Sequence, residues 1–369
     1  MREINIARVL VNKRKEKGIT QDDLAYYMGV SKASVSKWET GQSYPDITLL
    51  PQLAAYFNIS IDDLMDYQPQ MSKEDIKRLY LRLSDDFTSK PYQAVLSECQ
   101  GIIKKYYSCY PLLLQMGILL FNHLQLVTDA KEATALLVQL KELFNRIRTE
   151  SDELPLSKTS LFLEALCCIS SGDPNSALEL LEGMNAPALP PETILASAYQ
   201  MLGRVEEAKS VLQVGIYQDI ATLFNFFSAY LMLCTDTPER FDEALNRVLM
   251  VAQTFDMAQL HPILLVQLYL CAAQGYLQQG RQNEALDMLE RYTNLATGSI
   301  YPLKLHGDGF FDRIGSWLEE LDLGTGLPRN EKTIQQSMVD IVTRHPSFAV
   351  LKDNPRYKSM IEKLQGLKI

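Results

Sequence analysis

The 369-residue sequence has no long apolar run and no excess of basic residues; its net charge is −9. Its longest apolar stretches, such as 263–273, are interrupted by Gln267 and fall short of the roughly 18 residues that a membrane-spanning helix needs. The first nine residues already contain Arg2, Glu3 and Arg8, so they form no apolar signal-peptide core. We therefore expect a cytoplasmic protein that does not associate with membranes.

The sequence also lacks the cysteine patterns of metal sites and the common catalytic motifs. Its six cysteines lie in apolar helical contexts without a C-x-x-C pair, which favours reduced core thiols. There is no G-x-S-x-G, H-E-x-x-H or P-loop motif. His306, Asp308 and Asp312 lie close together in a Gly-rich stretch, and we interpret them as incidental polar groups of a loop. We expect no enzyme activity, no cofactor and no metal site.

The first 67 residues contain a dense series of helix-boundary signals. Thr20 followed by Asp23 predicts a capped helix start. Gly29 predicts the end of that helix, because glycine readily adopts a positive φ, and Ser31 predicts the next N-cap. Apolar residues at helical spacing are expected in the core: Leu24, Ala25, Met28, Val35, Trp38.

Two further helices complete this segment. Asp46 is expected to open a helix whose core residues are Ile47, Leu50, Leu53, Ala54 and Phe57, and Ser60 to cap a short fifth helix. Two helices joined by a tight glycine-containing turn, within a unit of five helices, form a helix-turn-helix pattern.

The segment 14–46, RKEKGITQDDLAYYMGVSKASVSKWETGQSYPD, resembles the phage-repressor (Cro/C1, or XRE) type of helix-turn-helix domain. It has the family's Thr-Gln-x-x-Leu-Ala, Gly-Val-Ser, Trp-Glu-x-Gly and closing Pro in order. The resemblance implies that residues 1–67 bind double-stranded DNA, with the second helix of the motif in the major groove. It also implies that Arg14 pairs with Glu39 and holds the first helix to the recognition helix.

The resemblance assigns a set of residues to the DNA side of the domain. Lys can donate to guanine O6 and N7, and the Ala33 methyl group suits a thymine methyl group. Gln21 is expected to contact a phosphate and brace the recognition helix, and Ser43 and Tyr44 to lie near the DNA backbone. The full set is Gln21, Ser31, Lys32, Ala33, Ser34, Ser36, Lys37, Ser43, Tyr44. The alternative is an ordinary solvated helix face.

The charge of this segment is unusual for a DNA-binding domain. Residues 1–67 carry eight basic and nine acidic side chains, a net charge of −1. Phosphate contacts normally come from clustered Lys and Arg. We therefore expect modest affinity for each half-site and a need for a dimer.

The region after residue 72 contains a repeated spacing of small residues. Alanine, glycine seven residues later and alanine five after that recur three times, at Ala165, Gly172, Ala177; Ala196, Gly203, Ala208; and Ala273, Gly280, Ala285. This pattern resembles the tetratricopeptide repeat, in which small residues let two antiparallel helices approach closely and glycine makes the turn.

Other helix pairs are predicted from amphipathic spacing. A fourth repeat has Phe227, Tyr230 and Cys234, then an insertion, then Ala244 and Val248. Residues 75–87 with 92–106, and 112–126 with 130–148, form earlier pairs, and residues 345–364 resemble a capping tail. The predicted domains are the helix-turn-helix domain (1–67), a linker (68–72) and the repeat domain (73–369).

The first helix of each pair is expected to line the concave face of the solenoid. Apolar anchors mixed with Gln and Ser suit an extended peptide. The positions expected there are Phe162, Leu166, Thr193, Ser197, Gln200, Phe224, Asn225, Ser228, Leu270, Gln274, Gln278. The alternative for the apolar members is burial in the core.

The sequence thus predicts an all-α protein in which a five-helix repressor-type domain precedes a tetratricopeptide-like α-solenoid. This arrangement resembles the peptide-responsive transcription regulators of Gram-positive bacteria. The resemblance implies a homodimer, a palindromic DNA operator and a short signalling peptide as ligand. Two alternatives remain open: a solenoid that is a constitutive protein-docking platform, and an interaction scaffold without DNA binding.

Overall fold

The computed structural model describes residues 5–66, 70–184 and 190–366. All regular elements within these ranges are helices, which confirms the predicted all-α class. Contacts divide the chain into two compact units, residues 1–80 with 92–180 and residues 81–91 with 181–369. This division does not follow the predicted boundary at 68–72, which stays a prediction, and residues 68 and 69 of that linker lie outside the described residues.

The first unit contains the helix-turn-helix segment and the helices that follow it. Its helices are α1 (Ile6–Glu16), α2 (Gln21–Met28), α3 (Lys32–Glu39), α4 (Leu50–Phe57), α5 (Ile61–Met65), the start of α6 (Lys73–Ser89), α7 (Tyr92–Lys105), α8 (Tyr110–Asn122), α9 (Ala130–Glu150), α10 (Leu154–Ser170) and α11 (Pro174–Leu181).

The second unit contains the remaining helices. They are α12 (Pro191–Met201), α13 (Val205–Leu233), α14 (Pro238–Thr254), α15 (Met257–Leu260), α16 (Pro262–Gln278), α17 (Gln282–Ala296), α18 (Gly315–Glu320), α19 (Glu331–Arg344) and α20 (Pro355–Gln365). No helix in the described ranges is long and apolar enough to cross a membrane.

The predicted caps of the first segment are confirmed. Thr20 Oγ1 accepts a hydrogen bond from the Asp23 backbone N–H, and the Asp23 carboxylate accepts from the Thr20 N–H, so the two residues form a capping box. Gly29 has φ 67°, the left-handed conformation that ends α2. Ser31 caps α3 by accepting from the Ser34 N–H at 3.1 Å.

One residue of the predicted core is on the surface instead. Leu53, Ala54 and Phe57 are buried as expected, but the side chain of Ile47 is 78% exposed. Asp46 caps a 3-10 turn over Ile47–Leu49, and α4 begins only at Leu50. Because the 3-10 turn has a different period from the α-helix, Ile47 does not continue the apolar stripe of α4.

The alanine–glycine–alanine pattern marks a turn between two helices in all three copies, and two of the copies make closely packed helix pairs. The three turn glycines all have positive φ, at 77°, 74° and 73° for Gly172, Gly203 and Gly280. All six alanines of the pattern are buried. In the second unit α12 packs on α13 and α16 packs on α17. Small side chains at these positions let the paired helices approach closely.

The second and the fourth predicted repeats share one helix. Residues Val205–Leu233 form one helix of 29 residues, α13, where the repeat pattern requires two helices and a turn. This segment has no proline, and its single glycine, Gly215, lies within the helix. Its buried residues continue at helical spacing through Tyr217, Ile220 and Phe224, so nothing in the segment interrupts the helix.

A glycine in α16 permits close packing of an aromatic ring. A Cβ atom at Gly275 would overlap the ring of Phe241. We predict that Gly275→Ala destabilises the chain by about 2 kcal/mol, because overpacking costs more than the gain in helix propensity. Thermal unfolding of the full chain measures this. The matched control is Gly101→Ala in α7, where a Cβ would meet nothing within 4 Å and a small stabilisation is expected.

Candidate nucleic-acid interface

The α3 helix has one buried and one exposed face. Val35 and Trp38 are buried in the core formed with α1, α2, α4 and α5. Lys32, Ala33 and Lys37 are exposed on the other face. Ser34 and Ser36 are half-buried, and the Ser34 hydroxyl forms a hydrogen bond of 2.9 Å with that of Ser31. The exposed face therefore carries two cations, a methyl group and small hydroxyl groups.

The orientation of α3 is fixed by a hydrogen-bonded carboxylate at its last residue. Glu39 Oε1 accepts from Arg14 Nε at 2.6 Å, and Glu39 Oε2 accepts from Arg14 Nη2 at 3.0 Å. Gln21 Nε2 donates to Glu39 Oε2 at 2.8 Å, and Arg14 Nη1 donates to the Ile19 carbonyl at 2.9 Å. The expected Arg14–Glu39 pair is therefore present and links α1, α2 and α3. Gln21 braces α3 as the resemblance implies.

Burial and hydrogen bonding act in opposite directions on Glu39. Burial favours the neutral acid, but hydrogen bonds from Arg14 and Gln21 and the positive charge of Arg14 hold the pKa of Glu39 below its usual 4.5. Because the folded pKa is below the unfolded one, ionised Glu39 stabilises the fold at neutral pH. This stabilisation is lost as the pH falls through the folded pKa.

The sequence did not predict that an acidic residue, Asp22, lies near the exposed face of α3. Lys32 Nζ lies 2.7 Å from Asp22 Oδ2, and both side chains are exposed. A surface pair of this kind contributes little to stability. It does hold the Lys32 ammonium group at the N-terminal end of α3. A separation of ten residues between Asp22 and Lys32 does not predict an ion pair, because the distance between the two side chains depends on how α2 and α3 cross.

The remaining residues predicted to bind DNA follow α3. Gly41, with φ 73°, redirects the chain, and the backbone N–H groups of Gln42 and Ser43 both donate to the Lys37 carbonyl. Ser43 is half-buried, and the Tyr44 side chain is 64% exposed. All nine predicted positions therefore lie on α2, on α3 with its N-cap or in the turn after α3. Contact with DNA stays a prediction for each of them.

The predicted ligand-binding row is only partly on the surface. Phe224 and Ser228 are buried in the core of the second unit, so the prediction that they line an open face is wrong. Their burial follows from the continuous α13, whose inward face packs on α16. Leu270 and Gln274 are half-buried, and the others are exposed: Phe162, Leu166, Thr193, Ser197, Gln200, Asn225, Gln278.

A groove in the second unit lies between the last turns of α13 and the first turns of α14. Its volume is about 750 Å³, and its lining consists of Phe226, Phe227, Ala229, Tyr230, Leu233, Arg240, Glu243, Ala244, Arg247. Phe226 and Leu233 are 67% and 79% exposed. Arg247 pairs with Glu243 at 2.5 Å. The repeat assignment used Phe227, Tyr230 and Ala244 as packing residues and so missed the groove.

The polar groups of the Gly-rich stretch have structural partners. Asp308 accepts hydrogen bonds from the backbone N–H groups of Phe310 and Phe311, and Asp312 accepts one from Gln213. The described residues contain no group of three or more His, Cys, Asp or Glu side chains arranged to hold a metal ion. These aspartates hold the loop in place.

Comparison with known proteins agrees with the geometry of the first segment. Residues 10–64 match a family model described as helix-turn-helix. A curated relative, the HTH-type transcriptional activator BcrR of Enterococcus faecalis, is 30% identical over 73 residues, which are 18% of this chain and 36% of BcrR. The chain thus spans about a third of the length of that relative. The N-terminal segment is a helix-turn-helix domain of the XRE type.

Two solved structures resemble the chain more weakly over a greater length. The crystal structure of Bacillus thuringiensis PlcR in complex with the peptide PapR7 and DNA is 17% identical, covers 79% of this chain and 94% of PlcR, and has a TM-score of 0.32. The apo form of the competence regulator ComR from Streptococcus vestibularis is 13% identical, covers 88% of this chain and 99% of ComR, and has a TM-score of 0.26. At these TM-scores neither likeness bears on function.

Loss of Arg14 tests the role of the Glu39 carboxylate. The side chains of Arg14 and Glu39 are 15% and 5% exposed, so Arg14→Met leaves a nearly buried charge with Gln21 as its remaining partner. We predict a local destabilisation of about 3 kcal/mol, which makes the backbone amides of α3 exchange with solvent about a hundredfold faster. Hydrogen-exchange mass spectrometry of the full chain measures this.

Lys13→Met is the matched control. Lys13 pairs with Glu16 on the same helix, but both side chains are more exposed, at 35% and 63%. Its loss is expected to change stability by no more than about 0.5 kcal/mol. Equal exchange rates for α3 in the two variants would contradict the bracing role of Glu39.

Proposed function

We propose that the protein is a sequence-specific DNA-binding transcription regulator in which α3 reads base edges in the major groove. The observation that supports this most directly is the division of α3 into a face locked by Val35, Trp38 and Glu39 and an exposed face with Lys32, Ala33 and Lys37. Such a helix can enter a groove without disturbing the core behind it. The BcrR relative, named as a transcriptional activator, agrees with this proposal.

The proposed regulator acts as a homodimer on a palindromic operator. The net charge of −1 over residues 1–67 gives a single domain little non-specific attraction to the phosphate backbone. Two copies of α3 double the number of specific contacts. For such dimers the half-sites lie about 34 Å apart, one helical turn of DNA, or a multiple of it.

The proposed ligand is a short peptide, and the groove between α13 and α14 is the site that suits it. The groove presents aromatic and aliphatic side chains from α13 and two arginines from α14. Its volume falls within the roughly 300–1,000 Å³ of typical ligand sites. Apolar peptide side chains would pack on Phe226 and Leu233, and a peptide carboxylate would pair with Arg240. A constitutive protein partner would use the same surface.

Removal of the two exposed lysines of α3 tests DNA binding. If each ammonium group contacts a base or a phosphate, Lys32→Ala with Lys37→Ala weakens specific binding by about 2–4 kcal/mol in total. Fluorescence anisotropy with an operator selected from random DNA measures this affinity. Lys358→Ala, which removes an exposed lysine from α20, is the control and leaves the affinity unchanged. Full affinity after loss of both lysines would contradict the assignment of α3 as the reading helix, and selection of no operator at all would favour the interaction-scaffold alternative.

Native mass spectrometry of the protein purified from its own host tests the ligand. The expected result is a retained short peptide that is lost from the variant Phe226→Ser with Leu233→Ser, because both side chains are largely exposed in the groove. Val350→Ser, at a residue 61% exposed in another segment, is the control and keeps the peptide. If protein purified from cells in which it is active carries no peptide, the result would favour the alternative that the solenoid is a constitutive protein-docking platform.

A further inference from the structure

A smaller pocket in the first unit lies among α7, α8 and α9. Its volume is about 310 Å³. Five aliphatic side chains form most of its wall: Ile103, Leu120, Leu136, Leu140, Leu143. The other lining residues are Gln100, Lys104, Tyr107, Gln139 and Arg146. A hydrogen bond of 3.0 Å from Gln100 to Gln139 joins α7 to α9 within this lining. The pocket is therefore apolar with a cationic end.

The arginine at this end is unusually placed. Its guanidinium carbon lies 4.0 Å from the centroid of the Tyr107 ring, a cation–π contact. The Nε and Nη2 atoms of Arg146 are buried and have no hydrogen-bond partner within the part of the chain that the structure describes. Buried N–H groups without a partner are rare, since each costs free energy that folding does not recover.

The nearby carboxylates of Glu150 and Glu164 accept hydrogen bonds from residues other than Arg146. Glu150, one turn along α9, accepts a hydrogen bond from the Tyr110 hydroxyl at 3.1 Å. Glu164 accepts from Arg148 Nε at 2.8 Å and from Asn145 at 3.1 Å. Arg148 thus shows what a paired arginine on this helix looks like. Arg146 instead lines the pocket, and its Nε and Nη2 donors have no such partner.

We propose that this pocket binds a small apolar molecule with one carboxylate. A planar guanidinium group donates two parallel hydrogen bonds to a carboxylate, and these charge-assisted bonds are stronger than neutral ones. The ligand carboxylate pairs with the guanidinium group of Arg146, and its apolar body fills the aliphatic part of the pocket. The shared chemistry fits either a free carboxylic acid of medium chain length or the C-terminal residue of an apolar peptide.

The pocket lies next to residues that contact the chain following the helix-turn-helix domain, so the proposed ligand is structurally connected to that domain. Tyr107 belongs to the turn before α8, and the next two residues hold the chain that follows the helix-turn-helix domain. Gln70 Nε2 donates to the Ser108 carbonyl at 3.1 Å, and the Met71 N–H lies 3.5 Å from Cys109 Sγ. This site is separate from the groove between α13 and α14, because its lining belongs to other helices.

Isothermal titration of the full chain with matched acids and amides tests the proposal without a variant. The probes are octanoate and octanamide, and acetyl-Leu-Leu as its free acid and its amide. We expect one acid to bind with a stoichiometry of one and its amide to bind about tenfold more weakly, the loss of hydrogen bonds to a charged group. Which acid binds identifies the source of the ligand. Equal affinity of acid and amide, or no binding of either acid at millimolar concentration, would overturn the proposal.

The variant Arg146→Met then tests the residue. It is expected to weaken binding of the acid by about tenfold while the amide is unaffected. Without ligand it should unfold at the same or a higher temperature than the parent chain, because it removes buried donors that have no partner. Arg344→Met, at an exposed arginine of α19, is the control and leaves binding unchanged. Full affinity of Arg146→Met for the acid would contradict the role of the guanidinium group.

Discussion

The hydrogen-bonded carboxylate of Glu39 is the interaction on which the helix-turn-helix segment depends. It joins three helices at one point, since Arg14 comes from α1, Gln21 from α2 and Glu39 from the last turn of α3. A nearly buried charge is stable only when its hydrogen bonds are made, so the positions of Arg14 and Gln21 relative to Glu39 are closely constrained. The exposed side of α3 can therefore carry any chemistry that its ligand requires without weakening the fold.

A different constraint shapes the helical repeats. Buried alanines set the spacing of the pairs α12–α13 and α16–α17, and the ring of Phe241 packs on Gly275 where any larger residue would collide. The length of α13 departs from this regularity. Because the chain runs straight from Val205 to Leu233, apolar side chains at its end stay exposed beside α14. An irregularity in the repeat thus coincides with the groove proposed as a ligand site.

Local signals in the sequence predicted most of the fold. The caps at Thr20, Ser31 and Ser60, the turn glycines and the buried alanines are determined by residues within a few positions of each other, and all are confirmed. The continuous helix α13 was not predicted, because the repeat pattern implies two helices there, whereas no residue in that segment ends a helix.

Features that depend on packing between distant segments could not be predicted. The burial of Phe224 and the pairing of Lys32 with Asp22 follow from the way helices cross. The same holds for the groove and for the buried donors of Arg146, since each is formed by two or more helices. By contrast, the Arg14–Glu39 pair was expected from the resemblance to XRE-type domains, which supplied a tertiary contact that spacing alone does not give.

Selection of DNA sequences from a random double-stranded pool with the full chain tests the central claim most directly. If α3 reads base edges as a dimer, the enriched sequences contain an inverted repeat with a fixed separation, and Lys32→Ala changes the preferred base at one position in each half-site. Enrichment of no sequence, or of the same repeat with unchanged preference after that substitution, would contradict the assignment of α3 as the reading element.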